Sequence, residues 1–185
     1  MPSSQVKKFG GWVIQQFIKL NMEHIVEHDH YLVIDADTFF IRPVVFNTNH
    51  KYLINAHCDC SFLRKRFTAK LLKNKHVYVY DFVPHHMLFS KKILRQMKNH
   101  LETTHGKKWH EAIVQLLEED KENHYGFSEY EIYVTYLTEF TTEPFRFVSN
   151  ANITVFRNFI YKINDIIRAY ASDYKTISMH EFIKF

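Results

Sequence analysis

Tyr31-Leu32-Val33-Ile34-Asp35-Ala36-Asp37-Thr38-Phe39-Phe40 sets four consecutive apolar residues directly ahead of two acidic ones. The apolar run predicts a strand buried on both faces, with the carboxylates at its carboxyl end. In open α/β sheets, ligands bind at that edge. Two Asp side chains one residue apart there can both face a divalent cation. Oxygen donors of this kind suit Mg²⁺ or Mn²⁺, which keep waters and share substrate phosphates. The competing account is a turn whose carboxylates cap backbone amides.

Upstream of this strand, Gly10-Gly11 precedes a helical pattern in which Val13, Ile14, Phe17, Ile18, Met22, Ile25 and Val26 recur over about four turns. Downstream, short strands are expected at 52–54, 77–80 and 87–89, with a basic helix at 61–74. Ser90 predicts an N-cap for a helix over 91–103, and Gly106 stops it. A further helix is expected over 108–119, seated on the core by Trp109 and His110. Ser128 starts the next, over 129–139, and Pro144 follows it. Strands at 145–148 and 153–155, a helix over 159–171 and a closing strand at 176–179 complete the pattern. Strands alternate with helices throughout, so the expected class is α/β, as a single domain over 1–185.

The composition fits that picture. A chain of 185 residues is long enough for one domain with a proper core. Hydrophobic residues at 46% and charged residues at 24% exclude a disordered chain, and only 4 Gly and 4 Pro exclude a collagen-like one. No apolar run approaches the roughly 20 residues of a membrane span. The opening MPSSQVKKFGGW has no continuous apolar stretch, so no secretory signal is expected. Lys plus Arg total 24 against 20 acidic residues, a net +4. That excess suits a nucleotide or phosphate ligand, or contact with an anionic membrane surface. The basic residues are dispersed, without the stripe that tracks a nucleic-acid backbone, so nucleic acid is not an expected partner. Cys58 and Cys60 are too close for an unstrained disulfide, and with His57 they fall short of a zinc set. Two reduced thiols imply a cytoplasmic setting.

Further candidates follow from spacing. Ser128 and Glu131 are placed as a capping box, which gives Glu131 a structural task beside a catalytic one. Glu129 has no such task; ionised in the first turn of a helix, it suits a general base. Gln15, Gln16 and Lys19 fall on the polar side of the first helix, where Lys19 could contact a phosphate or simply face solvent.

Two enzyme classes place an Asp-x-Asp after such a strand. Phosphatases of the haloacid-dehalogenase type use Asp-x-Asp-x-Thr, but here Thr38 comes one residue early, and the later strands end in Ser149-Asn150 and Met179-His180 rather than an acidic pair. The other class is the GT-A glycosyltransferases. Gly11-Trp12, Gln15-Gln16 and Lys19-Leu20, then Asp35-Ala36-Asp37-Thr38, Pro84-His85-His86-Met87-Leu88-Phe89 and Phe127-Ser128-Glu129-Tyr130-Glu131 together resemble a family of mostly uncharacterised GT-A-type proteins, over roughly residues 10–150. The resemblance implies a GT-A-like mixed sheet flanked by helices. It implies Mn²⁺ or Mg²⁺ held by Asp35 and Asp37 and completed by His180. It puts His85 and His86 near the acceptor or the phosphates, and implies a nucleotide-sugar donor and a glycan or glycolipid acceptor. Only 34 residues, encoding one helix, precede Asp35, so the first βαβ unit of that fold is expected to be missing. A catalytically inactive glycan-binding or scaffold relative is the alternative, and a dehalogenase-type phosphatase a third.

Overall fold

The computed structural model describes residues 10–49, 51–57, 61–75, 78–120, 126–149 and 151–180. The first described element is α1 (Gly10–Asn21), continued by a 3₁₀ turn (Met22–His24). Val13, Phe17 and Leu20 recur at helical spacing and are buried on one face of it. The strands β1 (His30–Ile34), β2 (Thr38–Phe40), β3 (Asn47–Thr48) and β4 (Lys51–Ala56) follow. Then come α2 (Phe62–Leu72), β5 (His86–Ser90), α3 (Lys91–His105), α4 (Trp109–Glu119) and α5 (Glu129–Phe140). The chain continues through β6 (Phe145–Ser149), β7 (Asn152–Phe156), a 3₁₀ turn (Arg157–Lys162), α6 (Ile163–Tyr170) and β8 (Thr176–His180). The fold is mixed α/β. Among the described residues no helix is long and apolar enough to cross a membrane.

The expected single mixed sheet is divided, among these residues, into three small ones. β1 pairs antiparallel with β5; β2, β8 and β7 form a second sheet; β3, β4 and β6 form a third. β4–β6 and β7–β8 are parallel, and the other pairings antiparallel. The turn at 35–37 causes the division, because it carries the chain out of the β1 ladder and into pairing with β8. β1 is also not buried on both faces. Tyr31 and Val33 point into the core, while Leu32 and Ile34 remain 40% and 43% exposed. Its alternation is that of a strand with one wet face, as an antiparallel pair allows.

α5 is the central helix. Nine consecutive residues, from Glu129 to Leu137, are buried. It packs against α1, α2 and α3 and, through Tyr130 and Tyr133, against Phe89 of β5. A helix enclosed on every side needs no amphipathic stripe. Residues 78–80 form no strand. The Tyr78 ring instead packs edge-on against Phe82 and Phe147, both at 5.6 Å, so its aromatic surface is buried without a ladder. Val77, Cys58 and Cys60 lie outside the described residues. Gly106 does stop α3, with φ +64° in the left-handed region. Ser90 sits at the N-cap of α3, but its side chain makes no capping hydrogen bond.

Phe89 is fully buried against Tyr31, Tyr130 and Tyr133. Phe89→Ala should therefore cost about 3–5 kcal/mol. Leu32→Ala, on the wet face of β1, should cost less than about 1 kcal/mol. Urea denaturation of the two variants measures both, and equal losses would show that β1 is covered on both sides.

Candidate functional site

One cleft of about 610 Å³ opens where several elements converge. Trp12, Gln15, Gln16 and Lys19 come from α1, where 12, 15, 16 and 19 fall on one helical face. Asp35 and Asp37 come from the turn after β1, His85 from the residue before β5, and Ser128, Glu129 and Tyr130 from the start of α5. Met179 and His180 close the end of β8, and Arg157 and Ile160 come from the 3₁₀ turn before α6. Backbone hydrogen bonds fix this convergence. The Asp35 N–H donates to the His85 carbonyl at 2.8 Å, and the Met179 N–H donates to the Asp37 carbonyl at 2.9 Å.

The charges are organised around Lys19. Its ammonium lies 2.6 Å from Asp35 Oδ1 and 2.7 Å from Glu129 Oε1, and donates to the Tyr130 hydroxyl at 3.4 Å. Lys19 is thus not on a solvated helix face; it is 7% exposed and is shared between acids from two other elements. The Gln16 amide also lies against the Glu129 carboxylate, with its nitrogen as donor. Burial pushes the Lys19 pKa down, but Glu129 and Asp35 outweigh it, and the net shift is upward. Burial pushes Asp35 up, and the His85 and Lys19 contacts hold it below the usual carboxylate range. One ammonium cannot cancel two carboxylates. The excess falls on the deeper group: Glu129 is 1% exposed, and burial keeps its pKa above the ordinary value despite Lys19.

His85 is held at φ +63°, in the left-handed region that an L side chain rarely adopts. Its Nδ1 lies 3.3 Å from Asp35 Oδ2, and its ring meets the His180 ring edge-on at 5.0 Å. Backbone strain of this kind concentrates at ligand sites. His180 Nε2 is buried, makes no hydrogen bond and lies 3.9 Å from Asp37 Oδ2. Burial, then His85, lowers the His180 pKa and favours the neutral ring.

This donor set can be tested against Mn²⁺ or Mg²⁺. Among the described residues no three His, Cys, Asp or Glu side chains group into a metal cage. Both Asp35 oxygens are already engaged, one by Lys19 and Tyr130 and one by His85. Asp37 and the orphaned imidazole of His180 remain. A cation that draws its other donors from phosphates and water needs no more than one or two protein carboxylates, so this pair fits the group.

Eight of the sequence candidates meet in the cleft: Gln15, Gln16, Lys19, Asp35, Asp37, His85, Glu129 and His180. Two do not. His86 is turned away between Phe40 and Phe46, with ring centres 5.3 and 5.5 Å apart, and burial lowers its pKa to about 4. His85 and His86 face opposite ways because a strand begins between them. Glu131 points to α2, where its Oε1 accepts from Lys65 Nζ at 2.5 Å. Ser128 Oγ does accept from the Glu131 N–H at 3.4 Å, but the return arm of the capping box is given up to Lys65. Tyr130, which the sequence gives only as part of the Phe127-Ser128-Glu129-Tyr130-Glu131 motif, and Arg64 and Arg157, which no local signal marks, also line the cleft. Tyr130 was legible only as a tyrosine between two glutamates.

Residues 2–152 match DUF6492, a family of unknown function, and the chain belongs to that family. None of the curated proteins compared with it matches.

Lys19→Met leaves Asp35 and Glu129 without their shared cation. Breaking a buried pair in this way should cost about 3–5 kcal/mol at neutral pH. In the variant, burial acts on Glu129 unopposed and raises its pKa further. A carboxyl with a raised folded-state pKa favours the folded state below its ordinary value of 4.5 and loses that contribution as pH rises through the folded value. The destabilisation should therefore be smallest near or below that value and grow toward neutral pH, and Glu129→Gln in the same chain should recover part of it. Denaturant melts across that range measure this; a loss independent of pH would show that Lys19 acts by packing alone.

Proposed function

We propose that this protein is a metal-dependent glycosyltransferase of GT-A type, moving a sugar from a nucleotide-diphosphate donor to a hydroxyl of a glycan or glycolipid acceptor. The observation that carries this reading is the convergence of Asp37, His180, Lys19 and Glu129 in one cleft, at the carboxyl end of β1. Its volume lies in the usual range for small-molecule sites. Asp37 and His180 would hold Mn²⁺ or Mg²⁺, which when bound supplies Lewis-acid neutralisation of the diphosphate. Arg157 and Arg64, the latter also paired with Asp81, line the same cleft, and their guanidinium N–H groups suit phosphate oxygens.

In the transfer, the acceptor oxygen bonds to the anomeric carbon and the bond from that carbon to the diphosphate breaks. The electron pair of the broken bond leaves with the nucleoside diphosphate, and the acceptor proton passes to Glu129. Two features of Glu129 support that role. Burial raises its pKa and so makes it a stronger base than a surface carboxylate, while Lys19 acts against that rise and favours the ionised form. Asp35 positions Lys19 and His85 rather than acting on the substrate.

One observation favours the second reading, a non-catalytic glycan-binding or scaffold relative. Lys19 is shared between Asp35 and Glu129, so these three charges are committed to one another rather than to a substrate. Titration with a nucleoside diphosphate separates the two. For the transferase, Mn²⁺ should tighten nucleoside diphosphate binding at least about tenfold, or 1.4 kcal/mol. Asp37→Asn should abolish the tightening, and Glu129→Gln should lower turnover by about 10²–10⁴-fold while leaving that binding intact. Calorimetry in which Mn²⁺ has no effect on the parent, or the same effect on Asp37→Asn, rejects the metal-dependent reading.

A further inference from the structure

The six residues of the 3₁₀ turn Arg157–Lys162 and the eight of α6 include none that is buried. Their sequence is nonetheless strongly apolar on one side. Phe159, Ile160 and Tyr161 stand 42%, 51% and 74% exposed. Within α6, Ile163, Ile166 and Ile167 fall on one face at i, i+3 and i+4 and are half-buried, while Tyr170 at i+7 is exposed beside Phe159, Ile160 and Tyr161. Its charged residues are mostly basic: Arg157, Lys162 and Arg168 against Asp165, which pairs with Arg168 at 3.8 Å, 3 − 1 = +2. Lys162 lies 5.6 Å from the Tyr161 ring centre, so a cation and an aromatic ring share one surface point.

An exposed apolar face with aromatic residues and a basic flank has the chemistry of a helix that lies in a lipid interface. We propose that the segment 157–170 docks on an anionic lipid surface. Charge decides against a second copy of the chain as the occupant. A two-fold pairing of this face would set +2 against +2, whereas anionic headgroups complement it. The chain as a whole carries +4, which adds to the same attraction.

Docking here has a consequence for the cleft. Arg157 and Ile160 belong both to the segment and to the cleft lining. The bilayer would therefore lie at the cleft mouth, where the hydroxyl of a lipid-borne acceptor could enter without leaving the interface. That consequence rests on the glycosyltransferase reading; the docking itself does not.

Vesicle sedimentation tests the docking, using phosphatidylcholine vesicles with and without phosphatidylglycerol. The parent chain should sediment with the anionic vesicles and much less with phosphatidylcholine alone. Phe159→Ser combined with Tyr161→Ser should weaken this at least about tenfold. Lys162→Glu should weaken it and reduce its dependence on salt. Both sites are exposed, so thermal melts of the variants should match the parent. No sedimentation of the parent with anionic vesicles, or binding unchanged in the double variant, overturns the proposal. So does a concentration-dependent dimer of the parent that the double variant abolishes, since a second copy would then cover the face. The nucleoside diphosphate titration on the same protein decides the catalytic reading separately, so either can fail while the other stands.

Discussion

The Lys19 ammonium sits between carboxylates from two elements far apart in the chain, Asp35 after β1 and Glu129 at the head of α5. Taking three charges out of water costs several kcal/mol for each ion. The attraction at these distances is of the same order, so the cluster contributes little net stability. What it supplies is position. α1 must lie so that Lys19 reaches both acids, α5 must begin where Glu129 meets it, and the turn after β1 must present Asp35 from the third side. Removing Lys19 leaves two uncompensated carboxylates in a dry place, so the three elements are held to one arrangement.

The same device recurs. Glu131, two residues into α5, pairs with Lys65 of α2. Glu23, in the turn after α1, is buried between Lys98 and Arg95 of α3. Each pair ties one helix to another at a specified register, where a purely apolar contact would tolerate sliding. The head of α5 illustrates the trade. Helix N-termini favour carboxylates through the backbone dipole, yet burial acts against both glutamates and raises their pKa values. Lysines from two other helices restore the balance. Glu129 and Glu131 point to different partners because successive odd positions on a helix lie about 200° apart. That angle puts Glu129 in the cleft and Glu131 outside it.

The two histidines at the start of β5 separate in the same way. His85 turns toward Asp35 and His180, while His86 is the first residue of the strand and faces the aromatic cluster of Phe40 and Phe46. A buried, largely neutral imidazole there fills space; an imidazole one residue earlier joins the polar wall of the cleft.

Much of the local structure was written in the sequence, because it depends on short-range physics. The period of Val13, Phe17 and Leu20 makes α1, Gly106 ends α3, Ser128 caps α5, apolar runs make β1 and β5, and the alternating Thr176-Ile177-Ser178-Met179 makes β8. The acidic pair at the end of β1 was legible for the same reason. What tertiary structure alone decided is which polar residues are buried together. Gln16 and Lys19 read as a wet face of α1 because no local rule shows that two acids from distant segments wait beneath it. Nor does an apolar run reveal how many faces of its strand are covered: β1 has one antiparallel neighbour among the described residues and keeps Leu32 and Ile34 partly in water. Spacing fixes where a side chain leaves its own helix or strand. Whether it then meets solvent, core or an opposite charge depends on segments that only folding brings near.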